Sequence, residues 1–221
     1  VIIRENIIKV PVLDKAFMFS QEGLDDLLSH ALFFDLEHYV YKRPICIGVF
    51  GCCYYNKSDS ALKVTQYMIE KKADASIIVK MAKNYFEKAL QENKTNIVTF
   101  SGNNDFTVIN YLLNKYRVKL DFDRFKKIDI QNLFKKYTGV CTGLKIIEKQ
   151  FNITRENMSI SGTNLAKTFS KIMKDDTYIN RMPKEKIEKI LLYNQQDVVS
   201  LYEILANWNK YINTENREET C

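Results

Sequence analysis

Histidine is nearly absent. His30 and His38 are the only two in 221 residues. That excludes the HExxH zinc hydrolases and argues against a Ser-His or Cys-His triad. The five cysteines, Cys46, Cys52, Cys53, Cys141 and Cys221, form neither a CxxC pair nor a zinc-binding spacing. Cys52 and Cys53 are adjacent within an apolar run and should face opposite sides of a strand. The expected state is buried, reduced thiols in an intracellular protein. Glycine (seven) and proline (three) are scarce, so long elements joined by short turns are expected. No apolar run is long enough to cross a bilayer as a helix. The longest uncharged stretch, 44–56, is short and carries Gly48 and Gly51. Residues 1–20 show no signal-peptide pattern, because Arg4, Glu5, Lys9, Asp14 and Lys15 interrupt the apolar positions. A cytoplasmic location is the expectation. Any chemistry must rest on carboxylates, tyrosine, lysine or cysteine.

The remaining composition is that of a globular domain, with 46% hydrophobic and 27% charged residues. The net charge of +6 permits a polyanionic partner without requiring one. Residues 1–13 alternate weakly, as an edge strand does, and 21–30 read as a short helix or turn carrying Asp25 and Asp26. Strand patterns follow at 31–41, 44–55 and 62–70, joined by links short enough for an antiparallel meander. The period then changes. Ile77, Ile78, Met81, Tyr85, Phe86, Ala89 and Leu90 recur at helical spacing over 74–92. A compact strand (96–101), an amphipathic helix (105–116) and a further strand (125–130) come next. Helical patterns fill 131–137, 143–151, 164–174 and 183–211, and Pro183 suits the first turn of the last. The expected fold is α/β: a mixed sheet of about five strands, antiparallel then parallel, flanked by helices. Residues 1–30 form an N-terminal edge segment, 31–212 the domain and 213–221 a flexible tail.

The stretch 31–41, ALFFDLEHYVY, carries Asp35 and Glu37 two positions apart. Strand side chains alternate, so both carboxylates project from one face. Two such charges about 5 Å apart repel by roughly 3 kcal/mol at an effective dielectric near 20. Either the strand end is exposed and water screens them, or a hard divalent cation turns repulsion into ligation. Asp105 stands where a strand passes into a helix, a position that suits either a helix cap or a ligand site. In the last helix Tyr193 and Asp197 are i and i+4 neighbours at the rim of an apolar stripe. They can line a groove or form an ordinary boundary pair. Asp129 reads as the cap of the next helix, and Asp121 and Asp123 as loop residues.

Three segments together resemble the DEDD exonuclease superfamily of the ribonuclease H-like fold. They are the D-x-E strand Asp35-Leu36-Glu37, the strand–turn–helix ending Asn103-Asn104-Asp105, and Tyr193-x-x-x-Asp197 in a late helix. The tyrosine resembles the DEDDy subtype, and the nearest local likeness is to YprB-type ribonuclease H-like domains of bacteria. Two positions depart from the pattern: His38 stands where Thr is usual, and Asn104 where Phe is common.

The resemblance implies a 3′-to-5′ exonuclease that hydrolyses single-stranded DNA or RNA. Asp35, Glu37, Asp105 and Asp197 would hold two divalent cations, Mg²⁺ or Mn²⁺, roughly 4 Å apart. Tyr193 would orient the attacking water, and Leu36, His38 and Asn104 would meet the terminal nucleotide. The implied partner is a single-stranded 3′ end, with no membrane. Two basic runs could follow its backbone: Lys115, Arg117, Lys119, Arg124, Lys126 and Lys127, then Lys167, Lys171, Lys174, Arg181, Lys184 and Lys186. The alternative is a nucleic-acid-binding module of the same fold that has weak or no catalysis.

Overall fold

The computed structural model describes residues 1–24, 26–156, 160 and 162–212. Asp25, Cys221 and the tail 213–221 lie outside the described residues. Among the described residues six strands form one sheet: β1 (Ile2–Lys9), β2 (Ala31–Tyr41), β3 (Arg43–Asn56), β4 (Ala61–Met68), β5 (Asn96–Thr99) and β6 (Lys126–Asp129). Their spatial order is β1-β4-β3-β2-β5-β6. The β2–β3–β4 meander is antiparallel, while β5 and β6 run parallel to β2. The expected count of about five rises to six because Ile2–Lys9 pairs antiparallel with β4 along its whole length. The N-terminal edge segment is therefore an integral edge strand of the sheet.

The helices are α1 (Leu27–His30), α2 (Asp74–Gln91), α3 (Asn103–Lys115), α4 (Ile130–Thr138), α5 (Leu144–Gln150), α6 (Gly162–Lys174), α7 (Tyr178–Arg181), α8 (Lys184–Ala206) and α9 (Trp208–Tyr211). A 3₁₀ turn at Phe122–Arg124 takes up Asp123, and Asp121 caps it by accepting from Asp123 N–H at 2.9 Å. The long C-terminal helical pattern divides at Asn207 into α8 and α9.

Period-2 alternation sorts the sheet's side chains into two cores. Leu32, Phe34 and Leu36 of β2 join Ile78, Val79 and Phe86 of α2, Ile109 and Leu112 of α3, and Phe169 of α6. Ala31 and Phe33 face the other way, onto Val198, Leu201, Tyr202 and Leu205 of α8 and Phe134 of α4. Cys52 and Cys53 fall into opposite cores, as their adjacency predicts, and Cys46, Cys52 and Cys53 are buried free thiols. Close approach is built in at Gly48, where a Cβ would stand 2.3 Å from the Phe169 ring of α6. Among the described residues, no helix is long and apolar enough to cross a membrane.

Candidate metal centre

Asp35 and Glu37 continue the parity of Ala31 and Phe33, so they face the layer that contains α8. Beyond them the β2–β3 register shifts between Glu37 and His38, a bulge beside the carboxylates after which the strands pair on to Tyr41 in a new register. Asp197 projects from α8 toward the same point. One carboxylate oxygen from each of Asp35, Glu37 and Asp197 lies within 4.8 Å of the others. Asp105 sits in the first turn of α3, whose N-cap position is Gly102, and is buried. Its carboxylate lies outside that tight triad, yet its charge acts on both Asp35 and Glu37. Asp129 caps α4, as its position predicts, accepting from the N–H of Gln131 (2.9 Å) and Asn132 (3.4 Å). The same carboxylate takes the N–H of Ser101 and Gly102 at 3.1 Å each, and so fixes the turn that leads to Asp105.

Electrostatics show what the arrangement costs without cations. Burial, then the neighbouring Asp105, pushes Asp35 up to about 7, against hydrogen bonding from Asn194 and the charge of Arg155. Burial followed by Asp35, Asp197 and Asp105 holds Glu37 well above the usual carboxylate range. Burial, Asp129 and Asp197 carry Asp105 to about 7. Asp197 reaches about 8 through burial and Asp35, despite an ion pair with Arg155. Burial and the surrounding carboxylates raise the Tyr193 phenol, which favours its protonated form. These are hard oxygen donors with uncompensated charge, which is the donor set that suits Mg²⁺ or Mn²⁺.

Sequence reasoning missed the groups that hold this cluster in place. Asn194 is fully buried; its Nδ2 donates to Asp35 Oδ2 at 2.9 Å, and its Oδ1 accepts from Gln66 Nε2 at 2.7 Å. Gln66 also donates to the Leu191 carbonyl at 2.8 Å. Gly51, the β3 partner of Asp35, makes the room, since a Cβ there would stand 2.0 Å from Asn194 Oδ1. A polar residue inside the apolar α8 stripe, between Leu191 and Val198, was the legible signal for Asn194. Arg155 and Glu148 had no such signal. Arg155 donates to Glu148 through Nε (2.6 Å) and Nη2 (2.5 Å), and Nη2 also donates to Asp197 Oδ1. The Arg155 guanidinium and Lys145 Nζ stand 5.6 and 5.4 Å from the Tyr193 ring centroid.

The two departures from the resemblance touch each other. Asn104 Nδ2 lies 2.9 Å from His38 Nε2, which joins β2 to the start of α3. Burial lowers the His38 pKa and favours the neutral ring. Leu36 points into the opposite core, so only its main chain is on offer at the site. The basic runs have mixed roles. Lys115, Lys126 and Lys127 are engaged with Ile45 O, Gly23 O and Asp123, and Arg181 pairs with Asp175. Lys167, Lys171, Lys186 and Lys189 line a groove of about 520 Å³ between α6 and the start of α8.

A family model described as RNase H superfamily matches residues 32–209. No curated protein matches the chain.

Proposed function

Because the chain belongs to the RNase H superfamily, we propose that it is a divalent-metal-dependent 3′-to-5′ exonuclease acting on single-stranded DNA or RNA. The observation that carries the reading is the convergence of Asp35, Glu37 and Asp197 from β2 and α8 within 4.8 Å, with the Asp105 carboxyl near enough to act on Asp35. Five carboxyl groups (Asp35, Glu37, Asp105, Glu148 and Asp197) share one guanidinium there, and burial with mutual repulsion raises Asp35, Glu37, Asp105 and Asp197, so ionising them together calls for added positive charge. Asp35, Glu37 and Asp197, with Asp105 at the margin, would hold two divalent cations that supply it. When bound, such ions would supply Lewis-acid stabilisation of charge on a phosphodiester.

The chain's own groups do the rest. Tyr193, kept protonated by its surroundings, donates a hydrogen bond that orients the attacking water. Asn194 fixes the Asp35 carboxylate from behind. The main chain at Leu36 and His38, beside the bulge, brackets the terminal sugar. The His38–Asn104 pair would meet the terminal nucleotide. Lys167, Lys171, Lys186 and Lys189 attract the strand's phosphates.

The test uses single strands labelled at either end, incubated with Mg²⁺ or Mn²⁺. The expected product is a ladder that shortens from the 3′ end and is abolished by Asp35→Ala or Asp197→Ala. Internal cuts would favour an endonuclease. Binding without metal-dependent cleavage would favour a non-catalytic module of the same fold.

A further inference from the structure

The Arg155–Glu148 pair has no part in the reading above beyond its charge. Its construction is specific. Helix α5 closes with Asn152 at φ +56°, Ile153 N–H donating to the Glu148 carbonyl (2.8 Å) and Asn152 N–H to that of Lys149 (3.2 Å). This is a Schellman closure, which turns the chain back along its own helix. Arg155 thereby reaches Glu148, two turns earlier in the path, with a two-pronged contact. The side chains of Arg155 and Glu148 are 5% and 3% exposed. The next residue is tied down separately. Gln196 of α8, with its amide turned to satisfy both groups, bonds the main-chain N–H (2.7 Å) and carbonyl (3.1 Å) of Glu156. Consecutive α8 residues, Gln196 and Asp197, therefore grip consecutive residues of the α5–α6 connection.

Resting on the metal-dependent reading above, we infer that Arg155 is a positioning residue: anchored by Glu148, it engages one oxygen of Asp197 and turns the other toward the metal centre. Asp35 has a matching support on the opposite side, where Asn194 Nδ2 holds its Oδ2. The two carboxylates donated by different elements are each fixed by a buried donor, one neutral and one charged. Outer groups of this kind orient ligands, and losing them weakens metal binding by roughly 10- to 100-fold.

Arg155→Ala alone would leave Glu148 charged and unpaired in the interior, so the folded protein could be lost for an unrelated reason. The informative variant replaces both, Glu148→Leu with Arg155→Met. It leaves the net charge of the site unchanged, so a change in cation affinity reports orientation rather than attraction. Arg155→Lys, which keeps the charge but loses the fork, is the second variant.

Mn²⁺ binding is measured by electron paramagnetic resonance and calorimetry, without substrate, and Tm is recorded in EDTA. The expected result is roughly 10- to 100-fold weaker Mn²⁺ binding in the double variant and an intermediate loss in Arg155→Lys, each in a folded protein. Unchanged affinity would make the pair a structural staple. Tighter binding would make Arg155 a blocking cation. Either overturns the inference and leaves the nuclease reading standing. A wild type that binds no Mn²⁺ overturns both.

Discussion

Asp35→Asn should stabilise the metal-free protein while abolishing its response to metal. The Asp35 carboxyl is pushed from 3.8 to about 7 on folding. Below about pH 4 it is protonated in both the folded and unfolded chains and contributes no difference. As pH rises, the unfolded chain ionises first, so folding loses ground until the folded group ionises near 7. A displacement of about three pH units corresponds to about 4 kcal/mol at pH 8, and to about 2 kcal/mol at pH 5. Asparagine removes that cost at every pH and can still accept from Asn194 through its amide oxygen. Asp35 keeps some solvent contact, so about half the pH 8 figure is the safer expectation. At roughly 2–4 °C per kcal/mol for a chain of this size, about 2 kcal/mol raises Tm by roughly 4–8 °C. The assay is thermal unfolding in EDTA at pH 5 and pH 8, repeated with Mn²⁺. The gain should be larger at pH 8, and Mn²⁺ should raise the wild-type Tm but not that of the variant. A variant less stable than wild type at pH 8, an equal gain at both pH values, or an undiminished Mn²⁺ shift would refute the argument that unneutralised charge strains this site.

Three further outcomes follow from the same geometry. Gly51→Ala places a methyl against Asn194, so it should cost about 1–3 kcal/mol in denaturant unfolding and weaken Mn²⁺ binding through loss of the Asn194–Asp35 contact. Tyr193→Phe should lower kcat on the order of 10²-fold with Mn²⁺ affinity unchanged; a parallel loss of affinity would mean that the phenol is a structural group. Reversing Lys167, Lys171, Lys186 and Lys189 to Glu should weaken binding of single strands in EDTA and flatten its dependence on salt, and an unaltered salt slope would place the strand elsewhere.

The sequence was most informative where side chains repeat. An aromatic and aliphatic run free of Gly and Pro located β2 at residues 31–41, and parity put Asp35 and Glu37 on one face. The helical period located α2, α3 and α8, and proximity of i and i+4 residues joined Tyr193 to Asp197. It could not choose between a boundary pair and a site for Tyr193 and Asp197, nor between a cap and a ligand for Asp105. Both questions concern residues far apart in the chain, which a local repeat does not relate. Asp197 faces the β2 carboxylates, and Asp129 caps α4, as its position predicts, while pinning the β5–α3 turn.

What the chain determined by itself was local: the strands, the helices and the acidic residues they carry, all set by period and chirality over a few residues. What only the tertiary structure decided was how those acids are held. Asn194 reaches Asp35 through space left by Gly51, and Arg155 reaches Asp197 from an irregular connection anchored on Glu148. Neither contact obeys a repeat, since each depends on which elements pack together and on the absence of one side chain. The charge that makes the site costly is written in the sequence, while the scaffold that makes it tolerable exists only once the sheet and α8 have met.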